Sequence, residues 1–228
     1  MSTQALRPSY AGVYPMIDAS LFIKATTPQI DDVLQLSTRH LYRWVKEGLA
    51  GEYLEGLRGK EVSLTFLDLV TMRIVAIFRT YGVKPREIKI AYEALAHYGG
   101  WTHPFAMEPV WVYGPDIYIK AGGVPIAISR YWQGAFDFIS EYLKPVHNLL
   151  FDDQEQAASW EPKPGILLDP KLSFGSPCVK GTRISTESLW ALNSAGDSIS
   201  LIAESYELSS GQVEASIAWE EDLERIAA

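Results

Sequence analysis

A short predicted helix near the N-terminus combines three cations with an aromatic hydrogen-bonding group. The segment STRHLYRWVKEG can be capped by Ser37 or Thr38, and Gly48 provides a natural C-terminal stop. Its apolar face consists of Leu41, Trp44 and Val45. The opposite face carries Arg39, Tyr42, Arg43 and Lys46. Cations and a tyrosine on one exposed face are typical of a helix that reads a DNA major groove.

The same spacing also fits an ordinary amphipathic helix with a solvated cationic face, so the neighbouring elements matter. Residues 27–34 predict a preceding helix, with Thr27 as its N-cap. Residues 51–65 predict a two-stranded wing, with Arg58 and Lys60 near its tip. A capped helix before this cationic helix, and a wing after it, favour DNA binding over an ordinary amphipathic helix.

Two further helices are predicted after Thr65, which Asp68 supports in a capping box, and after Pro85. The order of these elements resembles the MerR-like winged helix-turn-helix over residues 25–98. The segment WVKEGL, Trp44–Leu49, is the most specific part of this resemblance. It implies DNA binding, and the candidate contacts are Thr38, Arg39, His40, Tyr42, Arg43, Lys46, Arg58 and Lys60.

Charge is unevenly distributed along the chain. There are 20 Lys plus Arg against 28 Asp plus Glu, for a formal net charge of −8. Residues 1–100 carry +2, residues 101–165 carry −4 and residues 166–228 carry −6. Phosphate binding requires local cations. We therefore expect DNA contacts from the first hundred residues and a protein-contact surface at the C-terminal end.

A loop rich in glycine and proline, residues 168–183, places Lys180 and Arg183 together in this acidic region. A phosphate-binding Walker loop has four residues between its glycines and then Lys followed by Ser or Thr. Here five residues separate Gly175 from Gly181, and Thr-Arg follows, so the pattern is not a Walker loop. The glycines and prolines can simply shape a tight connection, but that leaves the two cations unexplained.

Three short helices follow the loop in a pattern typical of a second helix-turn-helix. The first begins near Thr186 with that residue as cap, residues 196–198 end it and cap the second, and residues 208–210 cap the third. In the third helix, one apolar face consists of Ala215, Trp219, Leu223 and Ile226, and another of Val213 and Ile217. No helix is hydrophobic all round, so we expect the three to pack on one another.

The string L-D-P-x4-G-x-P-x3-G-T-R-I, at Leu168–Ile184, is the most specific pattern in the chain. It is followed by I-A-E-x-Y-x-L-S at Ile202–Ser209 and A-x3-W-E at Ala215–Glu220. Together these strings resemble a small prokaryotic domain family long labelled as of unknown function and associated with toxin–antitoxin operons. Behind a MerR-like helix-turn-helix, the combination resembles a VapB-type antitoxin.

That resemblance implies an antitoxin that silences a PIN-domain ribonuclease and, as a homodimer, binds operator DNA to repress its own operon. PIN nucleases hold divalent metal with carboxylates, and a cationic side chain commonly blocks such a site. An Arg suits this role because its guanidinium pairs two carboxylate oxygens at once. The candidates for toxin contact are Lys180, Arg183 and Arg7. An internal salt bridge from Arg183 to a nearby acid is the alternative.

A MerR-like one-component regulator without a toxin is the alternative function, and an interaction adaptor that does not bind DNA is a third. In the regulator, a central aromatic group would bind an effector or form the dimer core: Trp101, Trp111, Tyr113, Tyr118, Tyr131 and Trp132. We expect no catalysis, metal or cofactor. The four histidines lack metal-ligand spacing, and Cys178 has no histidine near it in sequence.

These patterns predict a mainly α protein with a small antiparallel β meander, in the α+β class. We expect a flexible arm (1–20), a winged helix-turn-helix domain (21–100), a meander plus helix for linkage or dimerisation (101–160) and a three-helix C-terminal domain (161–228). The meander is predicted at 110–129, the helix at 133–149 and a linker or surface-hugging strap at 152–165. No apolar run approaches the ~20 residues that span a bilayer, and a single cysteine suits a reducing compartment, so we expect a cytoplasmic protein.

Overall fold

Helices make up most of the fold, and small antiparallel sheets lie between them, as the α+β prediction requires. The structure is a computed structural model that describes residues 12–27, 35–49, 54–55, 62–107, 110–113, 116–121, 124–127, 133–134, 144–145 and 149–228. The α-helices within these residues are α1 (Met16–Thr26), α2 (Thr38–Lys46), α3 (Phe66–Thr80), α4 (Pro85–Gly99), α5 (Thr186–Ser194), α6 (Ile199–Tyr206) and α7 (Ser210–Ala227).

The strands form three antiparallel sheets. They are β1 (Val13–Pro15), β2 (Leu54–Glu55), β3 (Val62–Thr65), β4 (Val110–Tyr113), β5 (Asp116–Ala121), β6 (Val124–Ala127), β7 (Gln133–Gly134), β8 (Lys144–Pro145), β9 (Leu149–Phe151), β10 (Ala157–Lys163), β11 (Ile166–Leu168) and β12 (Cys178–Val179). The strand orders are β1-β3-β2, β7-β6-β5-β4-β8 and β12-β11-β10-β9. Single 3-10 turns span Pro104–Ala106 and Ser173–Gly175.

The predicted meander is confirmed, but the helix predicted after it is wrong at both ends. β4, β5 and β6 pair in sequence order. Gln133–Gly134 pairs with β6 and Lys144–Pro145 with β4, so both segments extend the same sheet at its edges. Leu149 belongs to a different sheet, against β10. The middle of the predicted helix, 135–143, lies outside the described residues.

The N-terminal arm was predicted too long. From Val13 onwards the chain is structured, because β1 pairs with β3 in the register Tyr14 to Leu64. α1 then buries Ala19, Phe22 and Ile23, which are apolar and need a core. Residues 1–11, including the candidate Arg7, lie outside the described residues.

Parts of the predicted helix-turn-helix also lie outside the described residues, namely positions 28–34 and the tip of the wing with Arg58 and Lys60. α2 forms where it was expected, and β2 pairs with β3 as a short antiparallel ribbon. β1 adds a third strand that the sequence did not predict. In α3 the predicted capping box is confirmed, since Asp68 N–H donates to Thr65 Oγ1 (3.2 Å) and Thr65 N–H to Asp68 Oδ2 (3.1 Å).

At the C-terminal end, Ser198 and Ser209 cap α6 and α7 as predicted. The cap of α5 is Ser185, whose hydroxyl accepts from Ser188 N–H, and the prediction of Thr186 is wrong. Thr186 is fully buried. Its hydroxyl is shared between two acceptors, the Pro177 carbonyl (3.3 Å) and the carboxylate of Glu220.

The linker predicted at 152–165 is also wrong, because β10 runs through it and crosses the boundary placed near residue 160. Trp160 is fully buried, with the Arg73 guanidinium 4.9 Å from its ring centroid. The same core contains Phe22 of α1 and Trp219 of α7, whose rings lie 5.9 Å apart. Among the described residues, the N-terminal helices, β10, β11 and α7 therefore share one core.

The two apolar faces predicted for α7 are confirmed. Trp219 and Leu223 belong to the shared core. Val213 and Ile217 face a smaller cluster with Leu189 of α5 and others of its neighbours. α7 thus packs on α1 with one face and on α5 and α6 with the other. No helix in the described part of the chain is long and apolar enough to cross a bilayer.

Leu223→Ala is expected to lower the free energy of unfolding by about 2–5 kcal/mol, because Leu223 is 0% exposed in the shared core. Leu201→Ala is the matched control, since Leu201 is 51% exposed on α6, and it should change stability by less than about 0.5 kcal/mol. Urea denaturation followed by tryptophan fluorescence and circular dichroism measures both. Because the core is shared, both probes should report one transition; two separate transitions would contradict it.

Candidate functional site

The cationic face predicted for α2 is exposed. Leu41, Trp44 and Val45 are buried, which turns the other side of the helix to solvent. The exposed side chains there are Arg39, Tyr42, Arg43 and Lys46. Arg43 lies 3.9 Å from the Glu47 carboxylate one turn away, in a pair exposed enough to break readily for another acceptor. This face can present a row of donors to an anionic surface.

His40 and Thr38, two other candidate contacts on α2, are half-buried. The Ser37 N–H donates to His40 Nδ1 (3.3 Å), and Ser37 Oγ lies 3.1 Å from the same nitrogen. Burial, and after it the nearby Arg43 and Arg39, lowers the pKa of His40. A neutral ring at neutral pH can accept from Ser37, so His40 holds the start of the helix in place of an outward contact.

The two cations of the C-terminal loop differ in their surroundings. Lys180 Nζ lies 2.6 Å from Glu161 Oε2, so the internal salt bridge that the sequence left open for Arg183 is made by Lys180. The hydrogen bond from Lys180, and after it that from Gly165 N–H, lowers the pKa of Glu161. Arg183 is exposed, and it forms no ion pair with any residue that the structure describes. Of the two, Arg183 is available to a partner.

Phe174, which the sequence analysis did not single out, is the most exposed large apolar side chain of the described residues, at 68%. It lies between Ser173 and Gly175, and all three have positive φ (45°, 56° and 82°). For Ser and Phe this left-handed backbone is unfavourable. The only sign of this role for Phe174 in the sequence is a large apolar residue within a turn, next to a glycine.

The N-terminal segment holds this loop from behind. Gly12 N–H donates to the Phe174 carbonyl (3.0 Å), and the buried Tyr14 hydroxyl donates to the Gly175 carbonyl (2.9 Å). A Cβ at Gly175 would lie 2.8 Å from Gly12 Cα and 2.9 Å from the Tyr14 hydroxyl, so this close approach requires glycine. Burial raises the pKa of Tyr14 well above its usual range, so the hydroxyl stays protonated and can donate.

Phe174 forms a ridge between two clefts. The acidic residues of the first cleft are Asp18, Glu187 and Glu220. Its apolar walls include Tyr14, Phe22 and Pro177. The second cleft is lined by Arg183, Glu187 and Tyr206, together with Ile184 and serines of the loop and of α5. We call the surface formed by Phe174, Arg183 and Tyr206, with Glu187 beside them, the ridge surface.

The structure describes two other groups considered from the sequence, Cys178 and one member of the central aromatic group. Cys178 is buried, its thiol donates to the Leu167 carbonyl (3.4 Å), and burial raises its pKa, which disfavours the nucleophilic thiolate. Of the central aromatic group, Trp101 packs half-buried against the shared core. The side chains of Trp111, Tyr113, Tyr118, Tyr131 and Trp132 lie outside the described residues.

Comparison with known proteins gives a family match for the C-terminal region and a solved structure of similar fold. Residues 166–219 match a family described as "Protein of unknown function (DUF433)". That match spans β11, the loop that carries Phe174 and Arg183 (residues 169–185, the ridge loop), α5, α6 and part of α7. No curated protein matches the chain. The crystal structure of Rv2018 from Mycobacterium tuberculosis is similar with a TM-score of 0.62 and 16% identity, covering 90% of this chain and 96% of that one. At this identity the likeness shows the fold alone.

Lys180→Met is expected to raise the pKa of Glu161 towards its usual range, because it removes the main hydrogen bond to the carboxylate. In the unaltered chain the pair stabilises the fold above the unfolded-state pKa of Glu161, and that contribution is lost as the pH falls through the lowered folded-state pKa. Carboxyl ¹³C NMR titration measures the change, with Lys171→Met, an exposed lysine of the same loop, as the control. An unchanged Glu161 titration in Lys180→Met would contradict the pairing.

Proposed function

We propose that this chain is the antitoxin of a type II toxin–antitoxin system, which binds operator DNA to repress its own operon and neutralises a PIN-domain ribonuclease. The role is one of binding and not of catalysis. The single observation that carries the proposal is the exposed cationic face of α2, opposite a buried apolar face. The resemblance of the N-terminal part to MerR-like domains, and of the C-terminal strings to an antitoxin-associated family, supplies the biological setting.

The DNA part of the proposal follows from the composition of that face. Arg and Lys pair with phosphates, and Arg can also pair both acceptors of a guanine edge. Arg39, Arg43 and Lys46 recur at the three- and four-residue spacing that places them on one side of a helix. Leu41 and Trp44 hold the helix to the core from behind, so the cations stay directed outwards.

The toxin part of the proposal assigns the C-terminal loop to the protein partner. A guanidinium that inserts among the carboxylates of a metal site needs to be free of competing internal partners. Arg183 meets that condition among the described residues, whereas Lys180 is held by Glu161. We therefore assign the blocking role to Arg183. Arg7 remains a candidate from the sequence.

Arg43→Ala is expected to weaken binding to DNA from upstream of the gene by about tenfold. If Arg43 contacts a phosphate, it should also reduce the slope of log K against log salt by about 1. Arg225→Ala removes one exposed arginine from α7 and serves as the charge-matched control. Fluorescence anisotropy at several salt concentrations measures both. Equal affinities for the two variants would argue against α2 as the recognition helix.

Co-expression of the chain with the product of the adjacent gene tests the antitoxin assignment. We expect a stable complex and suppressed RNA cleavage. Because Lys180 is already paired, Lys180→Ala should neutralise nearly as well as the unaltered chain, whereas Arg183→Ala should need at least about ten times more protein for half suppression. Absence of a complex together with retained DNA binding would instead indicate a DNA-binding regulator without a toxin.

A further inference from the structure

The exposure of Phe174 is unusual within this chain. The other phenylalanines whose side chains are described, at positions 22, 66, 78, 105 and 151, are buried or half-buried. Phe174 leaves 68% of its surface in solvent, so the core gains little from it. An isolated exposed apolar residue is common, but one that also requires a left-handed backbone has a second unfavourable feature.

Hydrogen bonds hold the backbone at Phe174 and Gly175. The Phe174 carbonyl accepts from Gly12 N–H, and the neighbouring Gly175 carbonyl accepts from the Tyr14 hydroxyl. Ser173 Oγ–H donates to the Arg183 carbonyl (2.7 Å), which ties Arg183 to the same turn. The backbone of a loop held in this way loses little conformational freedom when its aromatic side chain binds a partner.

The surroundings of Phe174 carry groups of both charges. Arg183 and the 37%-exposed Tyr206 line one cleft beside Phe174, and Glu187 lines that cleft as well as the acidic one. Arg and Tyr are among the residues that contribute most to binding energy at protein interfaces, and aromatic residues in general are enriched there. The ridge surface therefore has an apolar projection accompanied by a positive and a negative group.

We infer that Phe174 anchors the protein partner of this chain by entering an apolar pocket, which the partner flanks with a carboxylate towards Arg183 and with a Lys or Arg towards Glu187. Charge complementarity decides the occupant: Arg183 calls for a carboxylate-rich site, the feature attributed above to the nuclease. The inference thus rests on the proposed function. It adds the anchor residue and the pattern of charges that the partner must present.

The test measures the affinity of the full chain for the adjacent-gene product by biolayer interferometry. Phe174→Ala should bind at least about 30-fold more weakly, the loss expected for a hot-spot residue. Leu201→Ala, an exposed apolar residue outside both clefts, is the matched control and should stay within about threefold of the unaltered chain. Tyr206→Ala should also weaken binding, and it provides the test if Phe174→Ala does not fold. DNA affinity, which does not involve this surface, should be unchanged in each variant.

The possible results are distinguishable. If the unaltered chain binds and Phe174→Ala binds within about threefold of it, the inference is overturned and the antitoxin assignment stands. If the unaltered chain does not bind, both are overturned. If Phe174→Ala instead converts a dimer of the chain alone to a monomer in light scattering, the ridge surface binds a second copy, and the inference is overturned in favour of that occupant.

Discussion

The packing of α7 on α1 is the contact on which the rest of the structure depends. Trp219 is fully buried beside Phe22, and Leu223 extends the same contact by one helical turn. The opposite face of α7 packs on α5 and α6, so a single helix contributes to two hydrophobic clusters. Since α5 and α6 have only 9 and 8 residues, their stability comes from this packing more than from helix propensity. The C-terminal region is therefore held against the N-terminal helices and is not tethered by a linker.

This packing has a direct consequence at the ridge loop. With α1 seated against α7, the preceding strand β1 pairs with β3 and brings Gly12 and Tyr14 to the carbonyls of Phe174 and Gly175. Two hydrogen bonds from the N-terminal segment thus help hold a turn 160 residues later in a conformation that isolated Ser and Phe residues disfavour. Two consecutive non-glycine residues with left-handed backbone, Ser173 and Phe174, therefore lie at the candidate partner surface, supported by groups distant in sequence.

Local capping chemistry made several helices predictable, but α1, whose N-cap forms no side-chain hydrogen bond, was not predicted, and neither were the elements that depend on long-range contacts. The N-caps at Thr65, Ser198 and Ser209 can be recognised in the sequence because each involves only the next three residues. The two faces of α7 follow from helical spacing in the same way. By contrast, β10 has Asp and Pro residues around it that mimic a linker, and only burial of Trp160 against Arg73 reveals a strand. The roles of Lys180 and Phe174 depended on Glu161 and Tyr14, which no local pattern connects to them.

Two surfaces of different chemistry thus lie on one packed structure: the cationic face of α2 and the ridge surface around Phe174. The central claim is that they serve different partners. Hydrogen exchange of the full chain, alone, with its upstream DNA and with the adjacent-gene product, tests this most directly. The account predicts that DNA slows exchange in residues 37–49 and that the protein partner slows it in residues 172–188. Protection by the protein partner confined to α2, or no protection of the ridge loop, would contradict it.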